Sequence, residues 1–186
     1  DGIEVFQSEK YYLLKKNVII NSDDFVLTAD LVKAFFEKDL YDVTNIESEG
    51  NVKLKSTKGM TASGQKLNFS TINNEMTVIG ENSILNMENL QMNSDELIEI
   101  NDTNKTFYLQ GDNSKLKSKN LLIIGSLIEG QYDEFNGTNE VTNLDVESKT
   151  LIRIQTDKLD MYSLKAIYNK KENLIELFDK VKIIRD

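Results

Sequence analysis

The sequence predicts an elongated all-β protein: one 186-residue domain made of about six stacked repeats of roughly 31 residues. Three observations carry this. A short string returns at nearly constant spacing, apolar and polar residues alternate inside each copy, and a second apolar column follows the same rhythm.

The string is NVKLKS from Asn51 and NSKLKS from Asn113, with relatives NVIINS from Asn17, NSILNM from Asn82, NLDVES from Asn143 and KVKIIR from Lys180. The starts are separated by 34, 31, 31, 30 and 37 residues. Helical solenoids have repeats of similar length, but the internal period here is 2 rather than 3.6, which marks half-buried strands. Val52 and Leu54 share one face while Lys53 and Lys55 share the other. The same offsets give Val18 and Ile20, Leu116 with Ser114, Leu144 and Val146, and Val181 and Ile183. The Asn82 copy offers Ser83 and Leu85, with Ile84 breaking the alternation.

The second column is Phe6, Phe36, Phe69, Ile100, Tyr132 and Tyr168, at steps of 30, 33, 31, 32 and 36. Two positions earlier, on the same strand face, stand Ala34, Leu67, Ile98, Gly130 and Ala166. Third strands such as EMTVIG and TFYLQG close two repeats at Gly80 and Gly111, and Gly50 ends another, each Gly standing before an acid or Asn as a turn signal. One segment competes: ADLVKAFFEKDL places Leu31, Val32, Phe35, Phe36 and Leu40 at near-helical spacing. The repeat alignment assigns it to a strand.

Composition narrows the function classes. The chain carries 31 acidic against 22 basic residues, net -9, and no local Lys/Arg block, so it is expected to repel phosphate backbones and anionic bilayer surfaces, and nucleic-acid binding is not expected. It has no Cys, His, Trp or Pro, which removes disulfides, thiolate chemistry and the usual general base. No run of 18 apolar residues spans a membrane. A start at Asp1 rather than Met reads as a processed or trimmed product. Asp23 with Asp24, Asp30, Asp95 and Asp157 could suggest paired catalytic carboxylates, but they recur with the repeat, as a unique site would not, and read as solvated turn or outward positions. NDTN at 101–104 has oxygen ligands but no EF-hand spacing. No enzyme activity, metal or cofactor is expected.

A stack of this kind ends in open sheet edges, here the strands around Ile3 to Phe6 and Lys180 to Arg185. No Pro protects either, so a partner that adds a strand is expected.

NVIINSDDFVLTADLVKAFF followed by EGNVKLKSTKGMTASGQKLNF resembles the organic solvent tolerance (OstA-like) domain family, found in the periplasmic bridge of lipopolysaccharide transport. The match is clearest from about residue 3 to 112 and continues more weakly to 186 through GSLIEGQYDEFNG and KLDMYSLKAIYNKKENLIELFDKVKII. TAD at Thr28 to Asp30 departs to TAS at Thr61 and NSD at Asn93. The resemblance implies a V-shaped β-jellyroll in the periplasm. Its interior would hold lipopolysaccharide acyl chains, and its ends would join related domains head to tail, whether further copies or the inner- and outer-membrane transport subunits. On that reading the lipid-facing residues are Val18, Ile20, Phe36, Val52, Leu54, Leu67, Phe69, Ile98, Ile100, Leu116, Tyr132, Val181 and Ile183. Two thin sheets splayed at one side would make their strip a groove, whereas sheets closed on each other would make it an ordinary core. Two other roles stay open: the inner-membrane-anchored subunit of the same machinery without its anchor, and a β-repeat adhesin or scaffold that binds no lipid.

Overall fold

A computed structural model describes residues 2–38, 42–119 and 121–185, and its regular elements there are all β-strands. The N-terminal part forms β1 (Gly2–Phe6), β2 (Tyr11–Asn21), β3 (Phe25–Phe36), β4 (Val43–Ser56) and β5 (Thr61–Ser70). Four short strands follow: β6 (Glu75–Ile79), β7 (Ser83–Met87), β8 (Leu90–Ser94) and β9 (Leu97–Asn101). The C-terminal part is β10 (Thr106–Ser118), β11 (Leu121–Phe135), β12 (Thr138–Gln155), β13 (Leu159–Asn169), β14 (Leu174–Phe178) and β15 (Lys182–Arg185). The expected all-β stack of antiparallel strands is what forms.

All fifteen strands belong to one antiparallel sheet with a crease along its middle. Long strands break register there, between Lys15 and Val18, Thr28 and Leu31, Glu49 and Val52, Gln110 and Ser114, and Ile124 and Leu127. On either side of the crease the partners differ. β5 pairs β7 through Thr61–Ser63 and β6 through Lys66–Ser70, and β10 pairs β9 through Thr106–Gln110 and β8 through Lys115–Ser118. The crease thus divides the sheet into a first lobe, containing β1, β6, β9 and β14, and a second lobe, containing β7, β8 and β15. Leu27, Leu54, Leu85 and Leu116 of the second lobe and Val32, Leu67, Ile98 and Ile128 of the first belong to one apolar cluster, so the lobes fold face to face.

The crease explains residue choices that the repeat string only hinted at. Asn17, Asn51 and Asn82, which open three of the strings, have φ of 49°, 49° and 59°, in the left-handed region that Asn tolerates best after Gly. Gly111 has φ 143°, where side chains are strained, and a Cβ there would collide with Asp95 Oδ1.

The competing helix resolves the same way. In β3 the buried residues are Leu27 and Ala29, then Val32, Ala34 and Phe36. The register shift between Thr28 and Leu31 changes the phase once, and two period-2 stretches joined by one three-residue step imitate helical spacing. Leu40, which completed that pattern, lies outside the described residues.

Candidate functional site

The apolar strip forms as continuous cross-strand rows. In the first lobe one row runs Ile46–Phe69–Met76–Ile100–Phe107–Gly130–Leu144–Tyr168–Ile175, each residue opposite the next. The neighbouring row includes Leu67, Val78, Ile98, Leu109, Ile128, Val146 and Ala166. In the second lobe, Ile20, Leu27, Leu54, Ala62, Leu85, Met92, Leu116, Ile123, Ile154, Met161 and Ile183 line up the same way.

Along most of its length the strip is a closed core. Val18, Phe36, Val52, Leu54, Leu67, Ile98, Ile100, Leu116 and Tyr132 are buried. Ile20 and Phe69 are half-buried at the rim where the lobes meet. Val181 and Ile183 depart from the expected inward burial, at 48% and 58% exposed. Ile183 sits opposite buried Met161 and so shares the inner face, but β15 is the last strand of its lobe and nothing packs beyond it. Val181 precedes β15, outside the ladder.

The strip becomes accessible at three places. Two are the ends. Ile3 and Val5 on β1 extend the first-lobe rows through Leu14 and Tyr12 and are 66% and 47% exposed. Val181 and Ile183 terminate the other end. The edge strands expected there are edges, since β1 pairs with β2 alone and β15 with β13 alone. The third place is the mouth opposite the crease. There Phe25 of the second lobe meets Phe69 of the first edge-on, with ring centroids 5.8 Å apart. Beside this contact lies a cleft of about 540 Å³, within the usual size of a ligand pocket. Its apolar lining includes Phe25, Leu54, Phe69 and Ile100, together with three of the five methionines, Met60, Met76 and Met87. The repeat columns omit these methionines, because Met60 lies between β4 and β5, Met76 sits on the short third strand EMTVIG, and Met87 ends the irregular NSILNM copy. Unbranched, polarisable side chains suit an adaptable apolar surface.

Polar groups hold the rim. Tyr132 donates its hydroxyl proton to Asp102 Oδ1 at 2.8 Å, and Lys105 Nζ donates to the same oxygen at 2.7 Å. Burial, reinforced by Asp102, pushes the Tyr132 hydroxyl far above its ordinary value. Burial alone would raise Asp102, yet the bonds from Lys105 and Tyr132 outweigh it and hold the carboxyl below the usual range. Tyr132 is therefore a buried rim anchor as well as a core residue.

The recurring acids have structural roles. Asp30 accepts from Asn51 Nδ2 at 2.8 Å and packs where a Cβ of Gly50 would stand, and Asp95 does the same beside Gly111, accepting from Asn113 Nδ2 at 3.4 Å. These are staples across the crease. Asp23 and Asp24 occupy the turn before β3, and Asp157 the turn before β13. In NDTN, Asn101 Oδ1 accepts from the Asn104 N–H at 2.8 Å, closing the turn between β9 and β10. No group of three or more Asp or Glu side chains placed to hold a metal ion occurs among the described residues, nor does a helix long and apolar enough to cross a membrane.

No family model and no curated protein matches this chain. Among solved structures it is similar to LptH from Pseudomonas aeruginosa, described as the LptA-homologous periplasmic component of the lipopolysaccharide transport device, with 9% identity over 99% of this chain and 90% of that one and a TM-score of 0.39.

Proposed function

We propose that the protein is a non-enzymatic periplasmic bridge module that shields lipopolysaccharide acyl chains between its lobes and passes them end to end through related domains. One observation carries this reading: the inner apolar strip runs out to both sheet edges, where Ile3, Val5 and Ile183 stay exposed on strands paired on one side alone. A self-contained scaffold has reason to cover or charge such edges. A module that continues into another has reason to leave them open. The sequence resemblance to OstA-like domains supports the lipid class. Net charge -9 opposes phosphate head groups, but head groups left in water at the mouth are screened within about 10 Å at ordinary salt.

Loading requires the lobes to part, because the core is closed at rest. The Phe25–Phe69 contact and the methionine-lined cleft beside it mark the seam at which they would part. Burying one acyl chain returns about 0.8 kcal/mol per methylene, so a chain of ordinary length offsets the loss of several side-chain contacts.

The assembly half of the proposal is tested by sedimentation of wild type and Ile183→Pro over a wide concentration range. Pro removes a ladder N–H from an edge strand and leaves the central rungs intact. Wild type should associate with itself or with a related domain, and the variant should associate more weakly while keeping its melting temperature within a few degrees. A wild type that stays monomeric and binds no related domain would favour the capped scaffold.

A further inference from the structure

The fold sorts charge onto opposite outer faces. In the second lobe the outward rows place Lys53 and Lys55 of β4, Lys115 and Lys117 of β10, Arg153 of β12 and Lys182 of β15 on one surface. The single carboxylate in those rows, Asp160, is already paired with Arg153 at 3.0 Å. The first lobe's outer face is the reverse, with Glu47, Glu99, Glu129, Asp145 and Glu176 near one line. Thus the lysines of the two near-identical strings, the most visible repeat in the sequence, all emerge on the same side of a chain of net charge -9.

The cationic face carries two further marks. Lys53, Lys55, Lys115 and Lys117 are exposed, and among the described residues none is ion-paired with a carboxylate. Interleaved in the same rows stand exposed aliphatic side chains: Ile19 at 64%, Val26 at 42% and Ile184 at 39%. Unpaired lysines among exposed aliphatics, with no free carboxylate between them, match the boundary of an anionic bilayer, where ammonium groups meet phosphates and short apolar side chains enter the head-group layer. We propose that the outer face of the second lobe docks on an anionic membrane surface.

A second copy of this chain is the other occupant with complementary charge, and the structure disfavours it. The carboxylates of the acidic face are partly neutralised in place, Glu49 by Lys66 at 2.9 Å and Glu147 and Asp145 by Lys165 at 2.7 and 3.4 Å. Its central acidic row offers no exposed aliphatics to meet Ile19 and Val26. The surface is independent of the interior strip, so membrane docking and acyl-chain shielding stand or fall separately.

Sheet twist turns the face as it runs, and the two lysine pairs lie four strands apart, about 19 Å, so each pair meets a bilayer as a patch of its own. The test is flotation of the full chain with vesicles of phosphatidylglycerol and phosphatidylethanolamine, against vesicles of phosphatidylcholine alone. Wild type should float with the anionic vesicles and not with the neutral ones, and binding should fall at least tenfold between 0.1 and 0.5 M salt. K53Q/K55Q or K115Q/K117Q alone should lose about twofold, because the other patch remains, and the quadruple variant about thirtyfold. E99Q/E129Q, on the opposite face, should bind at least as well as wild type, and melting curves should show all variants folded. Equal flotation with neutral vesicles, a loss under threefold in the folded quadruple variant, or self-association without vesicles that the quadruple variant abolishes and Ile183→Pro leaves intact would each overturn the proposal, the last in favour of face-to-face copies.

Discussion

Phe69→Ala separates a mouth from a sealed core. Phe69 and Leu67 are two residues apart on the same inner face of β5, but Leu67 is fully buried while Phe69 is half-buried against Phe25 and the cleft. A fully buried Leu→Ala costs about 2–5 kcal/mol, and Leu67, enclosed by both lobes, belongs near the top of that range. Full burial of a Phe would cost about 3–5 kcal/mol on truncation; half of that plus a lost aromatic pair gives about 2–4 kcal/mol for Phe69→Ala. In a domain of this size that is a melting-temperature drop of about 4–16 °C, against about 8–20 °C for Leu67→Ala. The distinguishing readout is uptake of a fluorescent fatty-acyl probe at a temperature where both variants are folded. Phe69→Ala should take up probe several-fold faster than wild type, because the seam loses its clasp, while Leu67→Ala should not. If Phe69→Ala costs as much stability as Leu67→Ala and leaves uptake unchanged, the lobes do not part at this seam.

Gly111→Ala should destabilise by more than about 2 kcal/mol, because φ 143° is strained for any side chain and the new methyl collides with Asp95. Adding Asp95→Ala should recover only the collision; full recovery in a double-mutant cycle would show that the crease tolerates Ala there. Tyr132 has its folded value raised, so its contribution to stability is present below pH 10 and lost as pH rises above it; Tyr132→Phe should flatten that alkaline loss in a melting-temperature profile. Asp102 has its folded value lowered, so its contribution is present above about pH 4 and lost as pH falls further, and Asp102→Asn should shrink the acid-side slope.

Much of this architecture is written locally. Strict alternation in VKLKS and SKLKS places Val52, Leu54 and Leu116 inside because a strand offers only two faces, and the column through Leu67, Ile98 and Ile100 follows from the same rule. What single-strand patterns cannot carry is the crease. It appears only as irregular spacing, as in the Ala29-to-Val32 step of β3 and the left-handed Asn17 and Asn51, and local reading takes such breaks for a helix or a turn. Whether the strip is groove or core depends on how two distant half-sheets approach, which no repeat encodes; the structure closes it except at the rim and the ends. Val181 and Ile183 keep the pattern of inward residues yet stay exposed, because burial depends on a neighbouring rung, and among the described residues no strand pairs β15 on its outer side. The polarity of the two outer faces was present in the lysines of the repeat string, but it becomes visible only when cross-strand register stacks β4 beside its partners.

The central claim is that acyl chains occupy the space between the lobes. Native mass spectrometry tests it most directly, on protein purified without detergent from a lipopolysaccharide-producing host and again after incubation with purified lipopolysaccharide. Expected is a population heavier than the bare chain by the mass of a bound lipopolysaccharide molecule, which releases lipid A-type fatty acids on hydrolysis and is depleted in a variant that cross-links the seam through Phe25→Cys and Phe69→Cys. A bare chain mass in both preparations, or bound lipid unchanged by closing the seam, would contradict it.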